Sequence, residues 1–367
     1  MSKAAELANL IGNINAGGGG VGRNLIINGA MNVSQRGTSF ANVSNDTYTL
    51  DRFNRRVSND GAVTITQDSS APSGFANSLK VDVTTADTSI GSSQFEAIEH
   101  VIEAQNLQTL AFGTSDAKNF TVSFYVKSNK TGTYALNVIQ VDNSSKQATL
   151  NYTINSANTW ERKSLTFTGD TSGVINDDTG GGLKILIWLA VGSDFTSGSA
   201  TATFQSYSNA QAAAQHGVNL LDSTSNEWFI TGLQLEVGQN ATSFEHEPFE
   251  VSLIKCKRYF ERINSLSSSS SVLGVGFQYN NDPQSVYQSR FSEKRTTPSL
   301  AVSNVSHLQR IRAGTSGVSS DISSISFSGT SKIGTLHDVT SQSNNLGEGC
   351  YLRFQSTDGT LDYDAEL

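Results

Sequence analysis

The residue types best suited to hold a ligand gather in one turn. Tyr279-Asn280-Asn281-Asp282, with Tyr287 and Gln288 shortly beyond it, places two aromatic rings beside planar amides and a carboxylate. Aromatic faces cover the apolar side of a sugar ring, and amides and carboxylates satisfy its hydroxyls. The chemistry these residues offer is sugar binding. Tyr125, which alternation places on the polar face of its strand beside Lys127, and Tyr207, in the loop segment Tyr207-Ser208-Asn209, are of the same kind. The candidate ligand contacts are therefore Tyr279, Asn280, Asn281, Tyr287, Tyr125 and Tyr207, each of which also reads as an ordinary surface residue. Trp188 lies inside an apolar run and reads as core.

Patterns that perform catalysis are missing. Gly17–Gly20 and Gly22 lack the Gly-Lys-Ser/Thr ending of a phosphate loop and follow no strand. There is no G-x-S-x-G elbow. Acidic residues are common enough that a pair spaced for glycoside cleavage arises by chance, so that signal decides nothing. No repeat of the length that builds a β-helix occurs. Cys256 and Cys350 are the only cysteines, and with five scattered histidines they show no zinc spacing. In a reducing cytoplasm, where the chain is expected to be made, two buried thiols are favoured over a disulfide. His216, His246, His307 and His337 stand alone in polar surroundings and read as surface residues. Asp177 and Asp178, before Gly180, offer calcium oxygens, but a solvated turn is the favoured reading. The expectation is no catalytic residue, no metal and no cofactor.

Charge narrows the partners. Residues 256–367 carry ten Lys/Arg and ten Asp/Glu, so the whole net charge of −8 falls in the first 255 residues. An acidic first part repels phosphate backbones, which argues against nucleic acid. The one basic cluster, Arg52, Arg55 and Arg56, reads as a solvated face or as ion-pair partners of Asp51 and Asp60. No apolar run reaches the roughly 18–20 residues that span a bilayer, so membrane insertion is not expected.

The elements that must position these residues are mainly β. Ala4, Leu7, Ile11 and Ile14 form an a/d stripe over a helix predicted from Ser2 to Asn15. That helix is too short to hold alone and is followed by a flexible glycine joint. Residues 1–22 are expected to be an attachment and oligomerisation element. From 23 to 250, alternation at Val122, Phe124 and Val126 and at Leu165 and Phe167 marks half-buried strands. The run Leu183–Val191 is apolar on both faces and predicts a central strand covered on each side. Phe229, Leu233, Leu235 and Val237 are expected on one face of a closing strand, with Gln234 and Glu236 on the other. Such strands joined by turns indicate an antiparallel, jelly-roll-like sandwich. Leu253, Cys256, Phe260 and Ile263 predict an amphipathic connecting helix over 251–263. Residues 264–367 return to β, with strands expected at 272–279, 285–291, 300–305, 308–313, 322–328, 350–355 and 359–367. They read as a second, smaller sandwich.

Several segments resemble one family. RNLIINGAMNVSQR (Arg23–Arg36) and YTLDRF (Tyr48–Phe53) are similar to the opening of phage tail-fibre and virion structural proteins. WFITGLQLEVGQNATSFEHEPF (Trp228–Phe249) and CKRYFER (Cys256–Arg262) resemble the end of that same domain. The terminal LDYDAEL, with Gly274–Phe277 and Arg295–Pro298 before it, resembles the C-terminal module that often follows, and SKAAELANLIG resembles some fibre starts. The resemblance implies a virion protein, commonly trimeric, whose first domain is like a carbohydrate-binding jelly roll and which carries no fixed catalytic motif. The partners it implies are other tail or capsid proteins through the N-terminus, copies of the same chain and a host surface glycan. Three functions follow: a receptor-binding fibre component, a purely architectural or decorating protein, and, third, a polysaccharide depolymerase. An N-terminal anchor would direct the other end outward, so a ligand is expected on the C-terminal domain.

Overall fold

A computed structural model describes residues 2–6, 22–265, 272–278, 284–312, 319–341 and 349–367. The chain is mainly antiparallel β and forms two compact units, Met1–Ser252 with Leu367, and Leu253–Glu366. Residues 3–6 are helical, with Ala4 exposed, while Leu7, Ile11 and Ile14 of the predicted stripe lie outside the described residues.

The first unit is a two-sheet sandwich. One sheet runs in the order β1 (Ser39–Ala41), β4 (Ala62–Asp68), β5 (Ser78–Thr85), β13 (Glu227–Val237), β7 (Phe120–Ser128) and β10 (Glu161–Phe167). The other runs β12 (Thr201–Ser206), β9 (Lys146–Ile154), β8 (Gly132–Gln140), β11 (Gly181–Val191), β6 (Phe95–Glu103), β3 (Phe53–Ser58) and β2 (Thr47–Tyr48). Val122, Phe124, Val126, Leu165 and Phe167 face Ile98, Leu136, Ile185 and Ile187 in one apolar core. The run Leu183–Val191 is the central strand β11, covered on both sides. Leu183, Ile185, Ile187 and Leu189 enter the sandwich core, while Leu186 and Trp188 pack outward under Phe195, Ala212 and Ala213.

The closing strand β13 departs from strict alternation. Its register with β7 slips between Thr231 and Gln234, and Gly232 takes φ +63°. A bulge of this kind reverses which face the following residues occupy. Trp228 and Ile230 therefore share the core with Leu233, Leu235 and Val237, whereas Phe229 lies on the outer face and packs against Trp160 at 6.2 Å. Gln234 and Glu236 are buried on that outer face by the returning chain. Thr242 donates to both Glu236 carboxylate oxygens, and the Glu245 amide donates to Gln234 Oε1.

The basic cluster is not a solvated face. Arg52 and Arg55 are fully buried, and Arg55 clamps Glu96 through Nε at 2.7 Å and Nη2 at 2.8 Å. Arg56 pairs with Asp46. Asp51 accepts from Gln35 and also feels the charges of Arg36 and Arg52, while Asp60 accepts from Gln94. His216 is likewise buried. Its Nδ1 accepts from the Ala135 amide at 3.1 Å and its Nε2 lies 2.7 Å from the Val218 carbonyl. Burial pushes its pKa down to about 4. His246 is exposed and His307 half-buried.

The predicted connecting helix is shorter than expected. Phe249–Lys257 is helical, but Phe260 and Ile263 belong to strand β14 (Phe260–Asn264). The chain leaves the helix because β14 pairs with β22 (Thr360–Asp364), which supplies the backbone partners a helix would have supplied internally. A third strand, β17 (Ser299–Val302), pairs on the other side of β22. The rest of this unit is a six-stranded closed barrel, a more closed form than the expected sandwich. It is made by β15 (Val272–Gln278), β16 (Gln284–Arg290), β20 (Gly334–Ser341), β19 (Ser319–Ser328), β18 (Leu308–Arg312) and β21 (Gly349–Phe354). Among the described residues, each of these six strands pairs with a neighbour on both sides. Cys256 and Cys350 are both buried thiols. Among the described residues no helix is long and apolar enough to cross a membrane.

Candidate functional site

An open cleft of about 270 Å³ lies on the outer face of the seven-stranded sheet, lined by Ile139, Val141, Ser145, Lys184 and Tyr207. Ile139 on β8 and Lys184 on β11 are register partners and share that face. Lys184 is the one charged residue in the run Leu183–Val191. Alternation sends it outward with Leu186 and Trp188, whose rows are roofed by Phe195, Ala212 and Ala213. The cleft opens at the Lys184 row. Val141 and Ser145 bracket the turn from β8 to β9. Tyr207 follows β12, which pairs with β9, and its amide donates to the Ser145 carbonyl at 3.1 Å. This tie holds the ring at the cleft with 42% of its surface exposed.

Beside the cleft, Glu99 on β6 is buried. Its Oε2 stands 3.8 Å from Lys184 Nζ, and its Oε1 is 3.5 Å from Asn54 Nδ2. Burial raises the Tyr207 hydroxyl above its ordinary range, and the positive charge of Arg56 partly opposes this. The hydroxyl thus stays neutral and able both to donate and to accept at ordinary pH. An aromatic ring, two aliphatic side chains, a hydroxyl and an ammonium can together hold the apolar face and polar rim of a small ring.

The other candidates fare differently. Tyr125 is on the outer face of its strand as expected, but half-buried, its ring 5.4 Å from Phe75. Tyr287 is fully buried inside the barrel and is no surface contact. Its strand is read inside out, because Ser285, Tyr287 and Ser289 point inward while Val286 is only half-buried and Gln288 exposed. Tyr279, Asn280 and Asn281 lie outside the described residues. Of the candidates in the first unit, Tyr207 alone lines this cleft, together with Ile139, Val141, Ser145 and Lys184. A lone lysine in an apolar central strand was the available signal.

Asp177 and Asp178 are exposed, and Asp178 Oδ1 accepts from the Gly180 amide at 2.7 Å, closing a turn. Among the described residues no cluster of three or more His, Cys, Asp or Glu is placed to hold a metal.

No family model matches the chain. No curated protein matches it either. Among solved structures, it is similar to the enzymatically active domain of tailspike protein 4 of Bacteriophage CBA120, at 11% identity and TM-score 0.31. That match covers 54% of this chain and 21% of the tailspike chain, so the protein spans about a fifth of it. It is also similar to a putative sugar binding protein from Bacteroides thetaiotaomicron, at 12% identity and TM-score 0.32, covering 58% of this chain and 99% of that one. A family 11 carbohydrate-binding module from a cellulosomal cellulase of Clostridium thermocellum matches at 10% identity and TM-score 0.28, over 57% and 98% of the two chains.

Proposed function

We propose that this protein is a glycan-recognising component of a phage virion fibre and that the glycan binds at the Tyr207 cleft without being cleaved. The observation that carries the reading is the exposed Tyr207 ring lining a cleft with Ile139, Val141, Ser145 and Lys184. Binding without cleavage is supported by the lining, because none of the five residues is an acid and glycoside hydrolysis uses two carboxylates. The virion setting rests on the sequence resemblance. In this reading residues 1–22 dock on the particle and copies of the chain associate, as a trimer.

Adsorption of the purified protein to host cells and to extracted surface polysaccharide tests it. Saturable adsorption is expected, weakened about tenfold by Tyr207→Ala, the scale at which an aromatic contact with its hydrogen bond is lost. Adsorption unaffected by Tyr207→Ala overturns the site. No adsorption at all favours the architectural role, and shortening of the polymer favours a depolymerase.

A further inference from the structure

The ion pair beside the cleft is lopsided. Lys184 keeps 33% of its side-chain surface in solvent, whereas Glu99 keeps 4%. Their 3.8 Å separation is an electrostatic contact too long for a hydrogen bond. Among the described residues, none of the three Lys184 N–H groups has an acceptor within hydrogen-bonding range, so the ammonium offers all its donors to the cleft while its counter-charge stays beneath the surface. The pair presents a positive end outward, in a part of the chain whose overall balance is acidic. An exposed ammonium with unused donors beside an aromatic ring is a receptor for a ring that carries an anionic group.

We infer that the cleft selects acidic saccharides, with the sugar ring against Tyr207 and its carboxylate or phosphate oxygen accepting from Lys184 Nζ. This rests on the glycan-binding reading of the same cleft. Charge-assisted hydrogen bonds are roughly twice as strong as neutral ones, so the anionic group is expected to add about tenfold in affinity. The partly exposed position of Lys184 makes that gain sensitive to salt.

The test measures affinity of the full chain by calorimetry for polygalacturonate and polysialic acid, each before and after reduction of its carboxyl groups. Phosphorylated mannan before and after phosphatase treatment forms the phosphate arm. The wild type should prefer an acidic form over its neutral counterpart about tenfold, and Lys184→Gln should bring that ratio close to one. Preference in the carboxylate arm alone, or the phosphate arm alone, supports the inference and assigns the anion. Equal wild-type affinity for acidic and neutral forms, or a preference that survives Lys184→Gln, overturns it. If Tyr207→Ala still weakens both forms in that case, the glycan reading stands without the charge selectivity. If Tyr207→Ala binds every polymer as the wild type does, or the wild type binds none, both fall.

Discussion

The Leu233 amide donates to the Gly29 carbonyl at 2.9 Å, and the two backbones lie so close that a Cβ on Gly29 would collide with the Leu233 carbonyl oxygen. The contact joins the segment Arg23–Arg36 to the strand that closes the same unit. Around it, the Asn24 backbone N–H donates to the Glu245 carboxylate, and the Asn24 side-chain oxygen accepts from the Leu235 amide. Arg23 reaches Thr242 and Ser243. Asn28, at φ +62°, bonds Val33 through both ends of its amide. The segments Arg23–Arg36 and Trp228–Phe249, at the start and end of this unit, thus form one clasp.

Gly29→Ala should therefore destabilise the first unit by about 1–3 kcal/mol, the range for forcing extra atoms into a packed site. Trp160, Trp188 and Trp228 all lie in this unit, so tryptophan fluorescence during denaturant unfolding reads it selectively. Gly217→Ala is the control. Its nearest neighbour, the Thr133 carbonyl oxygen, would be 3.9 Å from the new Cβ, and its effect should stay within about 0.5 kcal/mol.

The bulge at Gly232 makes a second steric prediction. At φ +63° a Cβ is strained, and here it would also stand 2.7 Å from Phe75 Cζ and 3.0 Å from Tyr125 Cδ2. Gly232→Ala should cost about 1–3 kcal/mol from backbone strain and crowding together. Only the crowding belongs to Phe75. A double-mutant cycle with Phe75→Ala should show coupling above about 0.5 kcal/mol, and strict additivity would mean that the backbone and Tyr125 set the cost without Phe75.

That bulge also shows where sequence reading stops. Leu183–Val191 was legible because a strand with apolar residues on both faces must be covered twice, and it is. The closing strand's existence was equally legible. Its phase was not, since one inserted glycine moves Phe229 to the opposite face from Leu233 without altering the look of the pattern. In Val251–Ile263 the helical spacing held through Leu253 and Cys256, and only its continuation to Phe260 and Ile263 was coincidence. Long-range pairing of Arg262 with Asp362, through Nε at 2.7 Å and Nη2 at 2.6 Å, belongs to a strand register that no local window contains. In the barrel, Ser285, Gln278 and Arg310 are buried while Val275 and Phe277 are 71% and 51% exposed, so apolarity does not mark the interior and Tyr287 was misplaced. β20 was missed because GTLHDVTS alternates too weakly to announce a strand. At the site, Tyr207 was legible from its type, whereas Ile139 and Lys184 meet it only through cross-strand register and a chain return.

Acid should weaken the first unit through His216. Burial holds the folded ring near pKa 4, against about 6.5 when unfolded. Above pH 6.5 neither state is protonated and the full stability is present. As pH falls from about 6.5 to 4 the unfolded chain takes up the proton first, so stability is lost across that window, by roughly 3 kcal/mol at most. His100, pushed well below its ordinary value by burial and by Arg52, acts in the same direction. Denaturant midpoints of the wild type should drop steadily between those pH values. His216→Gln should have a shallower pH dependence whatever its stability at neutral pH, and an unchanged slope would remove His216 from the account.

The second unit holds a buried cation whose removal should be costly. Lys294 has no exposed surface, and its Nζ donates to Glu261 Oε2 at 2.8 Å and to the Lys257 carbonyl at 2.6 Å. Glu261 also accepts from the Ser292 amide at 2.9 Å and pairs with Lys257 at 3.2 Å. Burial disfavours its charged form, but the Lys294 hydrogen bond and charge outweigh that and hold its carboxyl below the usual range. Lys294→Met removes the main compensation and leaves the carboxylate with the Ser292 amide and the more exposed Lys257 beside it. Breaking one side of a buried pair typically costs about 3–5 kcal/mol, and the surviving Lys257 contact places this case near the lower end. Removing both charges, with Lys294→Met and Glu261→Gln together, should cost less than Lys294→Met alone, since no uncompensated charge remains. The unit has no tryptophan, so amide hydrogen exchange in Phe260–Asn264 and Thr360–Asp364 is the suitable measure. Protection there should fall most in the single lysine variant and recover in part in the double. If the double variant exchanges faster than Lys294→Met, the pair contributes net stability beyond charge compensation, and its role is that of a true cross-link between the chain around Lys294 and strand β14.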